Sequence, residues 1–250
     1  MVPFPLEQGD TVTRQTIDVR TSARLAAFFE GLVFFVPVFV LGAAVDWPAG
    51  LDYEPAKLMQ LVADNESLMR VGYLAYLVYS LAFWPVIALL GWHALRRSGR
   101  QWTPAVVTAV VAAGISAAMR SIGILRWLFP MPDLADRFVS ASAAGQPTDS
   151  LEATFEALNG FGGAVGEVLG VGIFASVAVI AVARALRSAS SVPVWVSNLG
   201  VVAGVLLVSS AVEAVEVDAG PVLTISVTVL QVWLLAVAVT LRPVTDEPRG

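Results

Sequence analysis

The stretch TPAVVTAVVAAGISAAMRSIGILRWLF, running from Thr103 to Phe129, decides the fold. It is apolar almost throughout and, as a helix, long enough to cross a hydrocarbon core of about 30 Å. Yet Arg120 sits inside it, with Arg126 nearer its end. A charged side chain at that depth costs roughly 2.5 kcal/mol or more, so it is expected to have a partner or a water-filled cavity.

Five further stretches have the same character, and three of them carry a glutamate: Glu30, Glu167 and Glu213. The spans are expected near 24–44, 71–93, 103–129, 158–186, 194–217 and 221–241. The chain is 57% hydrophobic and 14% charged, with a mean hydropathy of +0.75. A soluble domain of 250 residues could not bury that much apolar surface. Backbone groups in lipid must bond within the protein, and uninterrupted apolar runs lack the alternation of a barrel, so the segments are helices. The expected fold is all-α: a single integral membrane domain over 1–250, built as a six-helix bundle. The polar segment 1–23 lies ahead of the first span, which is expected to be retained rather than cleaved as a signal peptide.

Positive charge sets the expected orientation. Arg14, Arg20 and Arg24 precede the first span; Arg96, Arg97 and Arg100 join the second to the third; Arg184 and Arg187 join the fourth to the fifth; Arg242 and Arg249 follow the sixth. The opposite side holds Lys57, Arg70 and Arg137 against a larger acidic set that includes Asp46, Asp52, Asp133 and Asp149. The positive-inside rule puts both termini in the cytoplasm of a cytoplasmic (inner) membrane protein. Trp47 and Trp127 then fall at the outer interface, and Trp92, Trp102 and Trp195 at the inner one, as an aromatic belt.

The longer outer connections carry their own short amphipathic helices. Leu58, Leu61, Val62, Leu68 and Met69 recur at helical spacing after Pro55, which predicts a helix lying on the outer surface. Pro130-Met131-Pro132 ends the third span, and Asp149 with Glu152 three residues on predicts a helix restart. Asp149 to Leu186 is too long for one straight span, so a break is expected near Asn159-Gly160, leaving a lid-like or merely connecting piece outside. Two halves of opposite topology would fit an inverted repeat, for which the runs around Glu30 and Glu167 are the only hint.

Several functions are excluded. With no cysteine there is no disulfide, thiolate metal site or cysteine nucleophile, and the lone His93 rules out paired histidine ligation within a chain. No metal site or cofactor is expected. Lys57 lies in an outer loop, away from any place for a Schiff base inside the bundle. No basic cluster marks a nucleic-acid partner, and no nucleophile, zinc or phosphate-loop motif is present.

Gly162, Gly166 and Gly170 form a small-residue ladder in the fourth span, where helices approach closely. Asn159, Gly163 and Glu167 form the adjacent stripe. At about 1.5 Å per residue, Arg120, Arg126, Glu167 and Glu213 share one outer layer, whereas Glu30 lies near the inner end of the first span and belongs elsewhere. An Arg120–Glu167 pair is expected there, either as a brace or as part of a ligand site. Arg120, Arg126, Asn159, Glu167 and Glu213 are the candidate ligand-binding residues. Tyr73, Tyr76 and Ser80 form a polar stripe in the same half of the second span, with the tyrosines reading first as belt residues.

The runs RSIGILRWLFPMPDLA from Arg120, FEALN from Phe155 and GEVLG from Gly166 resemble bacterial multi-pass membrane proteins grouped as Domain of Unknown Function 4386. The resemblance is best over the third and fourth spans and implies a helical membrane fold without an assigned reaction. Its residues include Arg120, Arg126, Asn159 and Glu167. The expected function is non-enzymatic: binding or transport of a small anionic or lipid-like ligand in an outward-facing Arg/Glu pocket. The alternatives are a structural or regulatory subunit that docks a membrane-protein partner or a second copy through the Gly162/Gly166/Gly170 face, and an intramembrane enzyme.

Overall fold

The structure is a computed structural model that describes residues 18–208 and 220–244. Among these residues there are helices and connections and no strand. Four helical runs are long and apolar enough to cross a membrane: Val19–Val45, Glu66–Ser98, Pro104–Ala143 and Asp149–Ser188. Two shorter apolar helices, Val194–Leu207 and Ile225–Thr240, occupy the places expected for the fifth and sixth spans. Large apolar side chains face outward around the bundle, Phe39 at 73% and Val239 at 69% exposure among them. Water would penalise such a surface and lipid would not.

The first run is two helices, α1 (Val19–Val33) and α2 (Phe35–Val45), which meet at Phe34. Pro37 explains the joint, because its ring opposes the carbonyl of Val33 and it has no N–H to donate. Helix α3 (Pro55–Asp64) follows, then α4 (Glu66–Ser98), which Gly99 ends in the left-handed conformation at φ 63°. Thr103 caps α5 (Pro104–Leu128) by accepting from the Val106 amide, with Pro104 in the first turn, where no N–H is needed. The three residues 130–132 turn the chain into α6 (Pro130–Ala143).

Helix α7 (Asp149–Gly163) starts where expected, but Thr148 is the capping position, and its hydroxyl donates to the Glu152 carboxylate at 2.7 Å. The expected break at Asn159-Gly160 does not occur. The chain stays helical there and instead widens to a π-helical wind over Ala164–Ala175 before α8 (Ser176–Ser188). Asn159 does not interrupt the helix because its side chain is engaged elsewhere, and the glycine-rich stretch supplies the backbone freedom for the wider wind. Helices α9 (Val194–Leu207) and α10 (Gly220–Thr240) complete the described chain.

One apolar core runs through the bundle, around Phe83, Leu90, Val182, Leu207, Trp233 and Leu234. A second lies at the end that carries the 46–54 and 129–148 connections, here called the cap end. There α3 packs on α6 and α7, and Leu58, Met59 and Val62 are fully buried. The amphipathic helix expected to lie on the outer surface therefore turns its apolar face into the protein. Met131, Leu134, Ala135 and Phe138 of α6 offer it a covered apolar partner that a membrane surface would only half supply.

Arginines close the opposite end. Arg20 and Arg24 of α1 donate to the Leu241 and Ala238 carbonyls at 2.9 and 2.7 Å, and Arg97 donates to the carbonyls of Ser190 and Pro243. The last carbonyls of α10 have no partner within their own helix, so the bonds from Arg20 and Arg24 satisfy groups that would otherwise be orphaned.

Candidate functional site

The middle of α5 faces the fourth run across a backbone-to-backbone crossing. A Cβ added to Gly123 would lie 2.9 Å from both the Gly162 oxygen and the Gly166 Cα. No side chain fits between the two helices at that point. On either side of it the glycine ladder receives an arginine stem. Gly162 lies against the Arg126 side chain, and a Cβ on Gly170 would come 2.7 Å from the Arg120 Cγ. The register is therefore Gly162 on Arg126, Gly166 on Gly123 and Gly170 on Arg120. Ser116 pins it by donating to the Gly170 carbonyl at 2.7 Å. The ladder is a groove for two arginines as much as a seam between helices.

The two guanidinium groups open on one cavity of about 180 Å³, well above the roughly 15 Å³ that one water needs. Arg120, Arg126 and Glu167 all line it, between α1/α2, α4, α5, the π-helical segment and α10. The rest of the wall is mainly apolar, with Phe34, Val38, Trp47, Leu51, Ile124 and Val171 contributing. Arg120 is 4% exposed, and its Cζ stands 4.5 Å from the Tyr79 ring centre and 5.4 Å from that of Phe83. Cation–π attraction of this kind strengthens when water is excluded. Arg126 is 9% exposed, and its Nη2 donates to the Asn159 Oδ1 at 3.2 Å. Asn159 in turn donates to the Leu51 carbonyl at 3.3 Å, tying the cap-end loop to the cavity wall. The Nε atoms of both arginines lack a hydrogen-bond partner among the described residues. Glu167 is close enough to Arg126, Tyr73 and Tyr76 to interact with each electrostatically.

Glu213, placed in this layer from its sequence position, lies outside the described residues. Glu30, expected to belong elsewhere, is not on the cavity wall, although its charge interacts with Arg120. Two other placements need correcting. Tyr73 and Tyr76 are not belt residues. Tyr73 is 2% exposed and stacks on Trp127 at 5.2 Å, and Tyr76 lines the cavity. Trp127 leaves the belt for the same reason: it is buried between Tyr73 and Phe155 in the cap-end core. Burial of a whole aromatic face against protein outweighs what an interface would give it.

The loop that lends Trp47, Pro48 and Leu51 to the cavity wall is shaped by Asp46, which ends α2 at φ 58° and accepts from the Tyr53 hydroxyl at 2.5 Å. That bond holds the Tyr53 phenol above its ordinary titration range. No group of three or more histidine or acidic residues that could hold a metal occurs among the described residues. The arrangement has donors, aromatic faces and apolar wall, which suits holding an anion with an apolar body.

Neither a curated protein nor a solved structure matches the chain. The family-wide sequence model described as Domain of unknown function (DUF4386) matches residues 13–238, and the chain belongs to that family.

Proposed function

We propose that the protein binds or carries an anionic, lipid-like ligand in this cavity without acting on it chemically. The observation that carries the reading is the presence of two buried guanidinium groups and one carboxylate on the wall of an otherwise mainly apolar cavity. Guanidinium forks match carboxylate and phosphate oxygens, and they keep their charge at every physiological pH. The aromatic and aliphatic wall suits the apolar part of the same molecule. The alternative, docking of another subunit through the glycine face, has less in its favour, because Arg120, Gly123 and Arg126 of the same chain fill that face.

An alkylsulfonate with a dansyl group at its tail tests the proposal in phosphatidylcholine nanodiscs, read by energy transfer from tryptophan. Transfer should saturate and should be reversed by unlabelled alkylsulfonate but not by the alcohol of equal length. Arg120→Gln should weaken binding about tenfold or more, the value of one charged hydrogen bond. Equal competition by the alcohol would reduce the cavity to an apolar groove and sink the proposal.

We also infer a six-span chain in the cytoplasmic membrane, with both termini inside and the cap end outside. Its support is the sequence's arginine bias together with the clustering of Arg20, Arg24 and Arg97 at the end opposite the cap. Reporters fused after Arg97 and Arg187 should read cytoplasmic, and reporters within 52–66 and 136–149 external. A cytoplasmic signal from either cap-end segment overturns the orientation.

A further inference from the structure

We infer that Glu30 is a proton-binding site linked to the cavity, so that an anion enters together with a proton. The inference rests on the reading of the cavity as an anion site.

Glu30 is completely buried, and neither of its carboxyl oxygens has a hydrogen-bond donor among the described residues. It sits one turn before Phe34, on the same face of the first run, and the Phe34 ring packs 5.2 Å from that of Tyr79. Tyr79 also lies beneath Arg120, and its hydroxyl accepts from the Gln231 amide at 2.8 Å. Glu30 and Arg120 thus converge on one tyrosine and feel each other's charge. Among the described residues, the ionisable groups that face Glu30 are Arg120 from α5 and Tyr79 from α4. Helices α2 and α10, which also approach it, contain no ionisable side chain.

The charge count gives the direction of the linkage. With both carboxyls ionised, Arg120, Arg126, Glu30 and Glu167 sum to zero, and an entering anion would leave one negative charge in a low-dielectric interior. With Glu30 protonated the same four groups sum to one positive charge, and the anion restores neutrality. A proton on Glu30 therefore favours the anion on Arg120, and reciprocity requires that the anion favour the proton by the same factor. No bond other than that of the carboxyl O–H is made or broken.

The dansylated alkylsulfonate, a permanent anion, separates titration of the protein from titration of the probe. Its affinity for the wild-type protein should fall by up to about tenfold per pH unit on the alkaline limb, the limit for one linked proton. Calorimetry in buffers of different ionisation enthalpy should record up to one proton taken up per probe bound. Glu30→Gln should bind the probe with affinity independent of pH and take up no proton, while Glu30→Asp should keep the uptake. Wild-type binding without proton uptake overturns the linkage, whatever the stability of the variants. A pH slope that persists in Glu30→Gln also overturns it, because the proton then lands elsewhere. Absence of saturable binding at every pH defeats the cavity reading itself, an outcome distinct from the other two because they leave binding intact.

Discussion

Gly123→Val is expected to cost the protein about 3 kcal/mol or more, the upper part of the range for overpacking a core. Its first added carbon meets backbone on the facing helix, the Gly162 oxygen and the Gly166 Cα, both at 2.9 Å. A flexible side chain can swing away from such a contact, but two helix backbones can yield only by separating. Separation would also lift Arg120 and Arg126 from their glycine seats. Gly166→Leu strikes the same crossing, with its Cβ 3.3 Å from the Gly123 Cα, and should follow in severity. Gly160 provides the control, because a Cβ there meets nothing within 4 Å. Thermal melting of the detergent-extracted protein should show Gly123→Val far below wild type and Gly160→Val close to it. Equal melting temperatures for the two variants would mean that the crossing is not where the register puts it. Dissociation of Gly123→Val to a folded, stable monomer would mean that the ladder faces a second chain.

The parts of this architecture that were legible in the sequence are those governed by local chemistry. Apolar run length placed the helices, Pro104 and Thr103 marked the start of α5, and the Pro130-Met131-Pro132 cluster its end. Charge in an apolar run pointed to Arg120, Arg126 and Glu167, and these three do line one cavity. What was not legible depends on who faces whom. Tyr73 and Trp127 have the composition of interface residues, and only the stacking of α4 on α5 brings them together inside the protein. The amphipathic face of α3 could equally have met lipid, and α6 is what it meets. The π-helical wind over Ala164–Ala175 leaves little signature beyond its glycines, because α and π winds use similar torsions and differ chiefly in which carbonyl each N–H reaches. That the Glu30 charge reaches Arg120 was not legible either, because it depends on how α1 packs against its neighbours. Asp18, which accepts from the Arg20 amide and the Thr21 hydroxyl, was the signal for a helix start at Val19 rather than near residue 24.

Arg126→Ala should be the most damaging change at the site itself, at about 3–5 kcal/mol, the cost of removing one partner from a buried charged pair. The substitution does three things together. It takes the counter-charge from the vicinity of Glu167, frees the Asn159 carbonyl that accepts from Nη2, and empties the groove over Gly162. Arg126→Lys should recover only part of the loss, since an ammonium has no planar fork to serve Asn159 and a carboxylate at once. Glu167→Gln should also destabilise, and the double change Arg126→Ala/Glu167→Gln should cost less than the two single losses added, because the second removes a charge the first has already stranded. The same cycle run with Arg120→Ala measures how much of Glu167 each arginine holds, and non-additivity is expected for both. Denaturation in mixed micelles at one pH gives all the values on a common scale. Strict additivity in the Arg126 cycle would show that the two groups, though on one cavity wall, do not stabilise each other. Arg126 would then be held by Asn159 and the glycine groove alone, with its full charge left for a ligand.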